Sequence, residues 1–254
     1  MTDYELAVSL WKNRHITDDA ELAEALNGHS ISFAYHSGKI ENDRITFHDT
    51  REIFDHDGVT SYTGDLRTLF EIRNAKDANE LFLTAFQEKH PLDTACIKEI
   101  QFRLTQNTYD TRRYRLGERP GEYKKHDYVT GKEEVGAAPE DVENEIEELL
   151  SELKDIPDEK VLTAVAYFHV RFENIHPFAD GNGRTGRLLM NYLLVMHDHP
   201  PVVIHEEDRR IYFEALEAWD TAQELAPMVT FLQQQIVKTW QKQIDRYVKK
   251  SGTE

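Results

Sequence analysis

Apolar residues recur at helical spacing along most of the chain. Ala20, Leu22, Ala23, Ala25 and Leu26 follow the acidic pair Asp18-Asp19 and stop at Asn27-Gly28, which predicts a short helix with an acidic start. Ile31, Phe33, Ala34 and Ile40 predict a second over 31–40, closed by the polar cluster Glu41-Asn42-Asp43. Leu66, Leu69 and Phe70, then Leu81, Phe82, Ala85 and Phe86, predict helices over 65–79 and 78–89, with His90-Pro91 as the stop. A further helix is expected over 93–104. From 110 to 138 the period is lost. There Tyr123 to Val129, between Gly121 and Gly131, predicts a short β-hairpin, the one β element expected. Helical spacing returns over 139–153, 158–172, 187–196, 206–219 and 227–249. The fold class is therefore mostly α, with a smaller amino-terminal helical part over residues 1–60.

Composition narrows the function classes. The chain has 254 residues, 39% of them hydrophobic, enough for a sizeable core and too many for disorder. A net charge of −17 argues against a nonspecific grip on nucleic acid or an anionic membrane, so neither is expected as a partner. Cys96 is the single cysteine and can form no intrachain disulfide. The longest apolar stretch, Leu188 to Met196, is broken by Asn191 and falls well short of the ~20 residues of a bilayer span. With no basic stretch and apolar run at the start, a cytoplasmic protein is expected. The charge is uneven: Glu133 to Glu159 holds twelve acidic residues against Lys154 alone, while Arg112 to Lys132 holds seven basic residues against three acidic ones. The acidic run reads first as a solvated helix face, and second as a filter on partners.

The chemistry concentrates in His176-Pro177-Phe178-Ala179-Asp180-Gly181-Asn182-Gly183-Arg184-Thr185-Gly186-Arg187. Glycines let backbone N–H groups close on a ligand, and a loop running into a helix puts them at the positive end of its dipole. Such a loop cradles anions. Arg184 and Arg187 are planar forks suited to phosphate oxygens, Asp180 is a hard oxygen ligand suited to Mg2+, and His176 is a proton acceptor near neutral pH. Together they describe attack by a hydroxyl on a nucleotide phosphate. Gly181 to Gly186 also spells the dinucleotide fingerprint G-x-G-x-x-G, but that motif needs a hydrophobic strand before its first glycine and none is expected here.

The segment resembles the Fic-domain signature H-x-F-x-[DE]-G-N-G-R-x-x-R at every defined position. The resemblance extends to Glu71-Ile72-Arg73-Asn74, Phe172-Glu173-Asn174-Ile175 and Arg209 to Leu216, and so covers roughly 60–235. It implies a helical catalytic domain over 61–235, followed by a carboxy-terminal helix over 236–254. It also implies transfer of AMP from ATP to a hydroxyl of a protein Ser, Thr or Tyr. On that resemblance His176 is the base, Asp180 holds Mg2+, Phe178 and Gly181, Asn182, Gly183 and Arg184 form the nucleotide site, and Arg187 holds the γ-phosphate. Tyr212 and Phe213 stand where relatives present aromatic residues to the adenine. Lys124, Lys125, His126, Asp127, Tyr128 and Val129 resemble the flap that pairs with an extended target segment. Self-modification and a homodimer are further expectations. Transfer of another nucleotide or of phosphocholine, and a nonenzymatic nucleotide-binding regulatory module, are the alternatives.

Ser37-Gly38-Lys39-Ile40-Glu41-Asn42 resembles the family's inhibitory pattern [ST]-x-x-x-E-[GN]. Ser37 and Glu41 are four apart and share a helix face. By the resemblance, Glu41 pairs with Arg187 in bidentate fashion at the γ-phosphate position, and the same carboxylate could assist removal of AMP.

Overall fold

The structure is a computed structural model that describes residues 1–128 and 136–251. Twelve α-helices account for most of them, and no β-strand occurs among the described residues. The first five are α1 (Asp3–Lys12), α2 (Asp19–Ala25), α3 (His29–Glu41), α4 (Phe47–His56) and α5 (Leu66–Gln87). Then come α6 (Thr94–Thr105), α7 (Thr111–Arg115), α8 (Val142–Glu152), α9 (Val161–Ile175), α10 (Asn182–Met196), α11 (Arg209–Ala222) and α12 (Ala226–Ser251).

Local signals explain where these helices begin. Thr2 and Glu5 form a reciprocal capping box at α1, and Asp18, Thr46, Asp65, Asp93 and Asp110 cap α2, α4, α5, α6 and α7 through their side chains. Three of those helices, α1, α4 and α7, were not expected from periodicity. All three are short, and their cap residues were the readable signal. The helices expected over 65–79 and 78–89 are one helix, α5, because Ala78 packs fully buried in its middle and nothing there interrupts the backbone ladder.

Helices α9 and α10 form the centre. Helix α10 is buried from Asn182 to Val195 apart from Gly183, while α9 buries most of its residues and leaves one face, along Thr163, Tyr167, Arg171 and Asn174, less covered. One continuous apolar core runs from Ala7 on α1 to Ile244 on α12, with the Trp11 and Trp240 rings 5.2 Å apart and edge-on. The amino-terminal helices therefore share the core of the centre, and α3 lies directly against α5 and α10. A second small cluster, Ile45, Ile53 and Ile72, seats α4 on α5.

Of the expected hairpin, Lys124, Lys125, His126, Asp127 and Tyr128 lie in irregular backbone, and Val129 lies outside the described residues. The described edges are fastened beside His176: the Lys124 N–H donates to the Pro177 carbonyl at 2.9 Å, and the Ala137 N–H donates to the Ile175 carbonyl at 3.0 Å.

Candidate active site

His176 is where α9 ends. It adopts a left-handed backbone, φ 51°, which turns the chain away from the helix axis and aims the imidazole into a cavity of about 330 Å3. The Glu173 backbone hydrogen-bonds the ring, and burial, helped by the Lys124 charge, pushes the imidazole down to about 4. At neutral pH it is uncharged and able to accept a proton.

The next helix starts earlier than periodicity suggested. Gly181 is its cap, at φ 83°, and Asn182 is its first residue, so Asn182 to Arg187 form the opening turns of α10 rather than a loop. The backbone N–H groups there have no side-chain cap, leaving the positive helix end open to an anion. A Cβ on Gly183 would collide with the Glu41 carboxylate and come within 2.8 Å of Arg187 Nη1, so only glycine leaves this room. The Asn182 side chain is already occupied: Oδ1 accepts from the Phe178 N–H at 2.8 Å, and Nδ2 donates to the Phe178 carbonyl at 2.7 Å. Phe178 itself is fully buried against Tyr123. Both residues shape the turn from inside.

Asp180 lines the same cavity. Its Oδ2 accepts from Arg67 at 3.0 Å and faces Arg113 at 3.5 Å, while Oδ1 faces Arg184 at 3.4 Å. Its carbonyl accepts from Gln101 at 2.8 Å. Arg67 and Glu71 also pair at 3.0 Å, and Glu71 stands 3.9 Å from Arg184. Arg67, Arg113, Glu71 and Gln101 come from α5, α6 and α7, and the sequence reading gave none of them a role here. Glu71 stood within a stretch that carried the resemblance, but for Arg67, Arg113 and Gln101 side-chain length and the distant elements they stand on left no local pattern to read.

Among the described residues no group of three acidic, histidine or cysteine side chains could hold a metal ion. The Asp180 carboxylate beside the open end of α10 nevertheless has the chemistry that suits Mg2+, which keeps several waters and takes only one or two carboxylates plus phosphate oxygens.

Arg187 is held in the core at 1% exposure. Its Nη2 donates to Glu41 Oε1 at 2.8 Å and to the Ser37 carbonyl at 2.9 Å, and its Nε donates to the Ser37 hydroxyl at 3.0 Å. The pair with Glu41 is thus a single contact instead of the expected bidentate one, and Ser37 supplies the other two acceptors. Burial would raise the Glu41 carboxyl, but the Arg187 charge and hydrogen bond outweigh it and hold Glu41 below the usual carboxylate range. Asn42 then fixes the helix end to α5, donating from Nδ2 to Glu71 at 2.7 Å and to Thr68 at 3.0 Å.

The aromatic pair divides. Tyr212 is 1% exposed, its ring packed on Phe231 and His169, and its hydroxyl reaches His169 Nε2 at 2.9 Å and Arg187 at 3.5 Å. It presents a hydroxyl to the site and keeps its ring in the core. Phe213 is 42% exposed, under the Arg209 guanidinium. Of the residues expected to form a flap, Tyr128 lines the cavity with its hydroxyl donating to Glu118 at 2.9 Å, and Lys124 is buried near His176. Lys125 pairs with Glu122 at 2.8 Å and His126 contacts the Leu116 carbonyl, both away from the cavity lining.

Residues 91–194 match the Fic/DOC family. The chain is 28% identical over 223 residues to Protein adenylyltransferase Fic of Nematostella vectensis, covering 84% of this chain and 48% of that protein. Over 67 residues it is 43% identical to Protein adenylyltransferase Fic of Aedes aegypti, covering 26% of this chain and 13% of that one. The chain thus spans at most about half the length of these curated relatives. Among solved structures, a Fic domain containing signaling protein from Bacteroides thetaiotaomicron superposes with a TM-score of 0.79 at 23% identity, over 96% of each chain. Fic-1 from C. elegans superposes with 0.76 at 22% identity, over 99% of this chain and 72% of that one. At these identities the likeness is one of fold.

Proposed function

From the premise that this chain carries a Fic domain, we propose that it is a protein adenylyltransferase, moving AMP from ATP onto a Ser, Thr or Tyr hydroxyl of a protein target, and that Glu41 holds it back. The observation that carries this reading is the shared cavity: a neutral His176, the open amino-terminal end of α10, and Arg184 all line one space. In the proposed reaction the target hydroxyl gives its proton to His176 as its oxygen attacks the α-phosphorus, and the bond to the β-phosphate breaks with release of pyrophosphate. Backbone N–H groups of Gly181, Asn182 and Gly183, with Arg184, are aimed at the phosphate charge. Asp180 is the residue that would hold Mg2+, which when bound supplies charge neutralisation on the phosphates.

In this reading residues 61–235 carry catalysis, residues 1–60 restrain it, and the helix over 236–254 supports the core. Glu41 occupies Arg187, the residue proposed for the γ-phosphate, so that ATP entering with α3 docked would lack its third anchor. The Tyr123–Tyr128 segment, fastened beside His176, would orient the target backbone. The curated relatives named above are adenylyltransferases, which favours AMP over other transferred groups. The test is a panel of ATP, GTP, CTP, UTP and CDP-choline, each labelled in the transferred group, incubated with the Glu41→Gly protein. Labelling from ATP above all others supports the reading; preferential labelling from another donor, or from none, overturns it.

A further inference from the structure

Three arginines line the cavity, and two of them stand outside the His176–Arg187 segment. Arg67, in the first turn of α5, and Arg113, on α7, both reach Asp180 Oδ2, at 3.0 and 3.5 Å. Arg184, the third, is almost completely enclosed. Arg67 is 46% exposed and Arg113 25%, so both have room to re-aim. Each has one further carboxylate partner on its own helix or cap: Glu71 for Arg67 at 3.0 Å, Asp110 for Arg113 at 3.0 Å. Arg113 also leans on the Ala179 carbonyl. Against the three cations the same cavity wall sets three carboxylates, Glu41, Glu71 and Asp180. The wall is electrically balanced as it stands.

A triphosphate entering that space upsets the balance. It brings several negative charges within reach of side chains that now share Asp180 and each hold one further carboxylate, Glu71 or Asp110. Guanidinium forks bind phosphate oxygens at least as well as carboxylates, often in bidentate fashion. Their long stems permit the move at little structural cost, since neither side chain anchors the core.

We propose that Arg67 and Arg113 are a further phosphate-binding pair, which lets go of Asp180 when nucleotide enters and holds the leaving pyrophosphate. This rests on the reading of the site as an adenylyltransferase. As the target oxygen bonds to the α-phosphorus and its proton passes to His176, the electron pair of the breaking bond goes to the β-phosphate oxygen. The arginine pair meets that growing charge. The exchange also frees Asp180, whose carboxylate the arginines otherwise cover. An acidic side chain of the target is the other anion such a pair could take, and the test separates the two.

The test measures calorimetric binding of ATP, pyrophosphate and AMP, each with Mg2+, to the Glu41→Gly protein and to the same protein carrying Arg67→Gln, Arg113→Gln or Arg67→Lys. A lost charge-assisted contact corresponds to about a tenfold weakening. The proposal expects Arg67→Gln and Arg113→Gln each to weaken ATP and pyrophosphate about tenfold while AMP, which lacks the leaving group, changes less than twofold. Arg67→Lys, which keeps the charge, should recover part of the loss, which a misfolded variant would not. Unchanged pyrophosphate binding overturns the proposal and leaves the adenylyltransferase reading standing; if target labelling then falls while ATP binding holds, the pair belongs to the target. Equal weakening of AMP also overturns it. A Glu41→Gly parent that binds no ATP overturns the reading and the proposal together.

Discussion

Arg187 and Glu41, 146 positions apart in sequence, meet at 2.8 Å across the junction of α3 and α10. The two ends of this contact differ in kind. The arginine is sealed in the core at 1% exposure, whereas the glutamate side chain remains 40% exposed on the last turn of α3. Whatever competes for Arg187 must therefore reach it from the cavity side, past the residue that leaves most easily. This asymmetry suits a carboxylate that can be displaced more than one that builds the fold.

Asn42 offers a gentler way to loosen the same helix. Asn42→Ala removes three hydrogen bonds, those its Nδ2 donates to Glu71 and Thr68 and the one its Oδ1 accepts from the Arg44 N–H, worth roughly 2–4 kcal/mol together, and leaves the Glu41–Arg187 pair intact. Self-labelling with ATP should rise severalfold over wild type and stay below that of Glu41→Gly. Labelling no higher than wild type would mean that the α5 anchor does not restrain α3.

Gly181→Ala tests the start of α10. Its φ of 83° disfavours a side chain, and the new Cβ would stand 2.5 Å from Thr105 Cγ2. Strain and overpacking together should cost roughly 2–4 kcal/mol, a fall in Tm of about 5–15 °C. A melting curve superimposable on wild type would show that the turn tolerates a side chain.

Acid should unfold the protein through its buried histidines. Burial pushes His29, His36, His176 and His199 down to about 4 and His169 to about 3. Unfolded, they titrate near 6.5, so between pH 6.5 and 4 the unfolded chain takes up protons that the folded chain refuses. Each can remove up to ~1.4 kcal/mol per pH unit in that window. Glu173 works the other way. Burial raises it to about 8, so the folded state keeps a proton the unfolded chain has lost above about 4.5, and its contribution weakens as pH rises through that range. Five histidines outweigh one glutamate. Tm measured from pH 7 to pH 5 should fall steadily; a flat or rising profile would contradict the burial of these rings.

Much of this was legible beforehand, and the limits have physical causes. The His176 to Arg187 segment carries its candidate chemistry in consecutive residues, so sequence could read them together, and Ser37 and Glu41 share a helix face by spacing alone. Helix α5 was split in two because its apolar stripe drifts round the helix, while its continuity depends on packing at Ala78. Tyr212 looked like a base-stacking residue, since sequence records an aromatic ring but not which end of it faces the site. Arg67 and Arg113 were invisible as site residues because their partner, Asp180, lies on a distant part of the chain. Part of the acidic run is a solvated helix face: on α8, Val142, Ile146 and Leu149 are buried while Glu143, Glu147 and Glu148 are exposed, and Glu133 and Glu134 lie outside the described residues.

The central claim is an adenylyltransferase restrained by Glu41, and self-labelling by ATP radioactive at the α-phosphate tests it most directly. Wild type, Glu41→Gly, and Glu41→Gly combined with His176→Ala should be compared at equal concentration, each checked for an intact melting transition. The account predicts weak labelling of wild type, at least tenfold more for Glu41→Gly, and none for the double variant. Equal labelling of wild type and Glu41→Gly would contradict the restraint, and labelling that survives loss of His176 would contradict the chemistry.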